Sequence, residues 1–229
     1  MIELKNVTLI AVSSIKISET LYALTKSMEG ISYGEVIFIS HEEPKELPSG
    51  VTFKKCEKIT SIDMYSHFMA YKLHEYINSD FALTIQYDGY VLRKDEWNND
   101  FLKYDYIGAP WPHRMKFFTK EGVRVRVGNG GFSLRSKRLL NILNELNLPF
   151  TDEGTGYYNE DGILCIYYRK ELEDSGINFA PINVAAKFSH ELDCKESVRN
   201  SFGFHESKIM FPYWLWPVKS LLKKLGIEI

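Results

Sequence analysis

The sequence predicts an α/β domain built on an open, mainly parallel central sheet flanked by helices, with a small antiparallel excursion. Two observations in the first half carry that expectation: short β-branched apolar runs alternate with helix-periodic segments, and one run, "FALTIQ", is apolar and short enough for a central strand covered on both faces. A third comes from the second half, where the alternating "EGVRVRV" and the glycine turn "GNGGFSLRS" supply the antiparallel part.

In chain order, "VTLIAVSS" reads as a strand ending in small polar residues, and "SETLYALTKSMEG" as a helix capped at Ser18 and stopped at Gly30. "EVIFIS" is a second strand, the Pro-bearing "HEEPKELPSG" a loop, and "VTFKKC" a third strand. "IDMYSHFMAYKLHEYINSD" is helix-periodic, with Met64, Phe68 and Tyr71 on one line, Ala70, Leu73 and Ile77 on another, and Asp63 as its cap. "FALTIQ" follows and ends at "YDGYVL". "FLKYDYIGAPWPHR" is aromatic and proline-rich, and "KRLLNILNELN" returns to helical spacing through Leu139, Ile142, Leu143 and Leu146. No repeat or linker interrupts the chain, so residues 1–229 read as one domain with an aromatic, basic tail at 211–229.

With 45% hydrophobic and 25% charged residues in 229, the chain has the makings of a packed core. A net charge of -2 argues against a general nucleic-acid binder, which needs a basic stripe for phosphates. No apolar run approaches the length of a membrane span, and "MIELKNVTLIAVSS" lacks the features of a secretory leader, so a cytoplasmic protein is expected. Cys56, Cys165 and Cys194 are odd in number and widely spaced, which predicts buried free thiols rather than disulfides or structural zinc.

Asp88, directly after the central strand, is either a turn residue in Asp-Gly or a carboxylate presented at the sheet's edge, where ligands of open α/β sheets bind. Gln86 stands in line with it and offers a neutral oxygen, while Tyr87 or Tyr90 could stack on a base or sugar. Gly128, Gly130 and Gly131 around Asn129 let backbone approach a ligand, or simply make a tight turn. Glu160 and Asp161 open a helical segment, where the dipole favours acids; the same dipole would keep an Asp ionised and ready to act as a general base. His205 is a packed or surface imidazole, or a phosphate contact or metal ligand beside Asp88, suited as a ligand to manganese more than magnesium. Arg124, Arg126 and Arg135 are candidate diphosphate contacts or an ordinary strand edge. Trp214, Trp216 and the lysines of the tail could pack on the domain or lie in a membrane interface.

The ordered phrases "QYDGYVL", "YDYIGAPW", "GNGGFSLRS", "EDG" and "FGFH" resemble those of nucleotide-sugar-dependent glycosyltransferases of the GT-A fold, in particular a bacterial domain family, from about Val7 to His205. That resemblance implies a donor site at Gln86, Tyr87, Asp88, Gly89, Gly130, Gly131 and Ser133, with Mn2+ or Mg2+ held by Asp88 and His205. It also implies Asp161, or else Glu160, as the acceptor base. Gln86 departs from the first acid of the family's two-acid signature. The implied activity is transfer from a UDP-sugar, galactose being one option, to a carbohydrate or lipid-linked glycan in bacterial surface polysaccharide synthesis, at the inner face of the membrane if the tail docks there. The competing reading is a glycan- or nucleotide-binding module without catalysis on a degenerate scaffold.

Overall fold

The structure, a computed structural model, describes residues 1–150, 159–191, 194 and 200–205. The tail at 211–229, with its expected membrane contact, lies outside the described residues.

Strands β1 (Ile2–Val12), β2 (Ile31–Ser40), β3 (Thr52–Lys55) and β4 (Phe81–Ile85) pair in parallel in the order β3-β2-β1-β4. β8 (Phe132–Ser136) lies antiparallel beside β4, and β5 (Tyr106–Ile107) closes the six-stranded sheet against it. β6 (Phe117–Phe118) and β7 (Arg124–Val125) form a separate hairpin, the small antiparallel excursion. Only two residues of "EGVRVRV" enter a strand, and the Arg126 carbonyl that follows them accepts from the Trp111 amide at 2.8 Å instead of extending the hairpin.

The alternation of side chains across the strands divides the core. On one face, Leu9, Phe38, Leu83 and Phe132 pack with Ala23 and Leu24 of α1 (Ile17–Met28) and with Ala185 and Phe188 of the late helix Ile182–Phe188. On the other, Ile10, Ile37, Ile39 and Ala82 meet Met69 of α2 (Ile62–Tyr71), the 3-10 turn Leu73–Tyr76, Ile77, and Leu140 of α3 (Lys137–Glu145). The helix predicted from Ile62 thus stops at Tyr71 and tightens. Of its two apolar lines, Ala70, Leu73 and Ile77 are buried whereas Met64 is exposed.

Caps differ from expectation at two places. α2 is capped by Ser61, whose hydroxyl accepts from the Met64 amide at 3.1 Å, so Asp63 lies inside the first turn. α1 begins one residue before Ser18, and its N-cap position is Lys16, in a left-handed backbone conformation with no side-chain cap. Cys165 and Cys194 are buried as expected; Cys56 is only partly so.

β1 sends its chain out to β2 on one side and neighbours β4 on the other, so the connections diverge at the β1/β4 boundary. That is the place where open α/β sheets leave a crevice beyond the strands' carboxyl ends. The loops Ser13–Lys16 and Gln86–Gly89 flank it.

Leu83, fully buried on the central strand β4, should cost about 3 kcal/mol when replaced by Ala, whereas exposed Val123→Ala should stay within about 0.5 kcal/mol; urea unfolding of the two variants measures the difference.

Candidate active site

Residues Gln86 to Gly89 make a tight turn, the Gly89 amide donating to the Gln86 carbonyl at 3.1 Å. Asp88 is therefore a turn residue, and its carboxylate also has an address: Oδ1 is buried, accepts no regular hydrogen bond and lies 3.5 Å from His205 Nε2. The same nitrogen is 3.3 Å from Gln86 Oε1. Gln86 is held in that orientation because its Nε2 donates to the Tyr65 hydroxyl at 2.9 Å. Gly89 is required by space, since a Cβ there would meet the Phe204 carbonyl at 2.9 Å and that of Gly131 at 3.1 Å.

His205 arrives from far along the chain. It follows β10 (Gly203–Phe204), which pairs with β9 (Ser189–His190), and the Leu92 amide donates to the Phe202 carbonyl, fastening this strand to the segment after the Asp88 turn. Burial alone would raise the Asp88 carboxyl, but the imidazole beside it outweighs that effect and holds it below its ordinary value.

The imidazole nitrogen of His205, 3.3 Å from the amide oxygen of Gln86 and 3.5 Å from the carboxylate oxygen of Asp88, stands at the spacing of neighbouring ligands on a single ion. The orphaned Asp88 oxygen leaves a position for one. The set fits a borderline ion such as Mn2+ better than Mg2+, which prefers all-oxygen shells. Among the described residues no group of three His, Cys, Asp or Glu converges, so an ion held here leans on the neutral amide of Gln86.

The glycine loop between β7 and β8 makes room for this protein's own side chains, while Gly130 and Gly131 also line the cleft described below. A Cβ on Gly128 would come within 2.0 Å of the Trp111 ring, on Gly130 within 1.9 Å of Glu160 Oε1, and on Gly131 within 2.0 Å of His205 Nε2. The three glycines thus give room to this protein's own side chains. Asn129, at φ 64, turns the loop, and its Oδ1 accepts from the Gly131 amide at 3.1 Å. Ser133, implied as a donor contact, is fully buried instead: its hydroxyl sits 2.7 Å from that of Thr84 on β4 and accepts from Arg135 Nε at 3.0 Å.

The two acids divide. Glu160 is 3% exposed and Arg135 0%, and Arg135 Nη2 donates to Glu160 Oε1 at 2.9 Å. Arg135 is thereby spoken for and is no diphosphate contact. Asp161 accepts from the Gly130 amide at 3.2 Å through Oδ2 and from the Gly162 amide at 2.8 Å through Oδ1, and it faces the cleft. Burial, then the neighbouring Glu160 charge, pushes the Asp161 carboxyl up to about 6. The expected helix-dipole effect does not dominate, because the helix at Glu160–Gly162 is one short turn that passes into a π-helical stretch, Ile163–Tyr167.

Tyr65, Gln86, Trp111, Gly130, Asp161 and His205 line a cleft of about 570 Å³. Tyr65 and Gln86 also line a second cleft, of about 390 Å³, beyond the end of β1, whose wall includes Ser13, Ser14, Ile15 and Tyr87. One face of the Tyr87 ring is covered by the Lys16 ammonium, 3.7 Å from the ring centre, and Tyr90 packs edge-on to Phe204 at 4.7 Å, so neither offers two open faces for stacking. Arg124 and Arg126 bond to the carbonyls of His113 and Trp111 and line another groove.

Sequence reasoning missed Tyr65 and Trp111, and named Asn129 only as the residue that the glycines surround. Tyr65 sits in a helix whose apolar periodicity hides it, and Trp111 in an irregular aromatic segment. Asn129 did carry a signal, since a non-glycine flanked by glycines in a turn is a candidate for the left-handed conformation.

The family described as "Protein of unknown function (DUF5672)" matches residues 49–205, more than half of the chain. The chain belongs to that family. The DUF5672 match ends at His205 and takes in Gln86, Asp88, the glycine loop and Asp161, leaving outside it the Ser13–Lys16 loop. No curated protein matches the chain in sequence. A solved structure described as "Crystal structure of a glycosyltransferase involved in the glycosylation of the major capsid of PBCV-1" is similar over 87% of this chain and 91% of that one, with a TM-score of 0.50 and 12% identity. This DUF5672 chain therefore has a glycosyltransferase-like fold.

Two variants probe the packing of the site. Gly131→Ala should lose about 1–3 kcal/mol of unfolding free energy, and the loss should largely vanish in a His205→Ala background, because the methyl group collides with the imidazole. Glu160→Ala should cost about 3–5 kcal/mol by stranding the buried Arg135 charge, as read from denaturant midpoints.

Proposed function

We propose that this protein is a glycosyltransferase that moves a sugar from a nucleotide diphosphate to a hydroxyl of a carbohydrate acceptor. The observation that carries the proposal is the convergence of Asp88, Gln86 and His205 at the carboxyl edge of the sheet, with Gln86 and His205 on the same cleft as the raised carboxyl of Asp161. The glycosyltransferase-like fold supports it.

In this reading the nucleotide occupies the cleft beyond β1 and the sugar and acceptor share the larger one. Asp161 takes the proton of the acceptor hydroxyl as its oxygen bonds the anomeric carbon and the bond from that carbon to the diphosphate breaks. A carboxyl with a pKa of about 6 is mostly ionised at pH 7 and still a better proton acceptor than an ordinary aspartate. Amides of Gly130 and Gly162 fix its orientation. Glu160, committed to Arg135, holds the base in place and raises its basicity by proximity. A divalent cation bound by Asp88, His205 and the Gln86 amide oxygen would supply positive charge to the departing diphosphate. The motif set favours a UDP-sugar, galactose among the options, and a role in bacterial surface polysaccharide synthesis with a lipid-linked or free glycan acceptor.

The neutral Gln86 motivates a second reading, a module that binds nucleotide or glycan without turnover. A panel of UDP-, GDP-, CMP- and dTDP-sugars with Mn2+ separates the two: slow hydrolysis or transfer of one donor supports the enzyme, and binding without turnover in the presence of acceptor glycans supports the module.

For the enzyme, Asp161→Asn should lower turnover by about 10²–10⁴-fold with nucleotide affinity retained. Because the ionised form is the base, the wild-type rate should climb as pH rises through about 6 and level off above it. A pH-rate profile with no inflection between 5 and 7 would remove Asp161 from the base role.

A further inference from the structure

Lys16 occupies a position where the backbone would be better served by glycine. Its φ and ψ are both 46, in the left-handed region, and the non-glycine residues sharing a positive φ among those described are Asn129 and Asn147. Asparagine tolerates that region and lysine gains nothing from it locally, since the Lys16 side chain makes no cap bond to α1. Strain of this kind persists where the surrounding structure uses it.

What the conformation achieves is placement of a charge. It turns the loop after β1 so that the exposed Lys16 carries its ammonium over the ring of Tyr87, 3.7 Å from the ring centre, next to Asp88 in sequence and on the wall of the smaller cleft. Lys16 forms no ion pair with any described residue. The electrostatics of the site lack what the ammonium would add. Glu160 is paired with Arg135, which leaves Asp161 as a carboxylate on the larger cleft, and the only described lining residue of either cleft able to carry positive charge is His205. The nearby Arg135 is committed to Glu160. A nucleoside diphosphate entering between these walls needs a cation, and the cation-binding set has one carboxylate with which to recruit a metal.

We infer that Lys16 is a diphosphate-binding residue: the strained loop stores the ammonium against Tyr87 and delivers it to the non-bridging phosphate oxygens of the donor. This rests on the donor-site reading above. It goes beyond that reading by assigning the second positive charge to a residue outside the family match, at the β1/β4 crevice.

The test uses the full chain at fixed Mn2+ concentration. UDP, GDP, CDP and dTDP are screened by thermal shift, and the nucleoside diphosphate that binds is titrated by calorimetry alongside its nucleoside. Lys16→Gly should weaken the diphosphate by about tenfold or more, leave the nucleoside unchanged, and raise the melting temperature of the free protein by roughly 2 °C as the strain is relieved. Lys16→Arg should retain most of the diphosphate affinity. Opposite signs for stability and affinity are what a merely structural lysine would not produce. Equal diphosphate affinity in wild type and Lys16→Gly would overturn the role of Lys16 while sparing the donor site, as would a fall of several degrees in melting temperature with parallel loss of nucleoside binding. If none of the four diphosphates binds the wild type, the donor-site reading fails and this assignment with it.

Discussion

The buried ion pair of Arg135 and Glu160 ties together everything that bears on the site. Arg135 comes from β8, Glu160 from the helical turn far along the chain, and Arg135 Nε and Nη2 also reach Ser133 Oγ and the Gly130 carbonyl. Ser133 in turn meets Thr84 of β4. One guanidinium therefore fixes the separation of the central strand, the glycine loop and the acidic turn. Desolvating two charges is expensive, and such a pair is seldom a net source of stability. Its value here is positional, because it holds Asp161 against the Gly130 amide.

The pair also separates the roles of two adjacent carboxylates. Glu160 faces inward to a permanent cation, and Asp161 faces the cleft with only amide donors. The charge on the first raises the proton affinity of the second. Neighbouring acids with different partners are a physical route to one structural and one reactive carboxyl on a single turn.

The sheet was legible because its signal is local: β-branched runs such as "VTLIAV" and "FALTI" and the helical spacing of Leu139, Ile142 and Leu143 each declare their element without reference to the rest of the chain. Asp88 and His205 were legible for another reason, since the residue types suggest a chemistry and the order of elements puts Asp88 at a strand end. What lay beyond the sequence was contact between remote segments. Nothing near Arg135 says that it points into the protein, nothing near Tyr65 says that it braces Gln86, and the glycines read as room for a ligand until the atoms filling that room are known to be Trp111, Glu160 and His205. Lys16 was hidden by the opposite effect: its backbone is unusual, and its sequence context, "SIKIS", is not.

The fit of His205 against Gly131 has a bearing on how the protein comes together. The imidazole meets Gln86 across a separation of 119 positions, and its socket is bounded by the turn after β4 and the loop before β8. Closing so long a segment gains nothing until both walls stand, which they do only once β4 and β8 have paired. The contact of His205 with Gln86 therefore follows the pairing of β4 and β8 rather than preceding it. A nascent or partly unfolded chain can hold a formed sheet while the corner at His205 is still unmade.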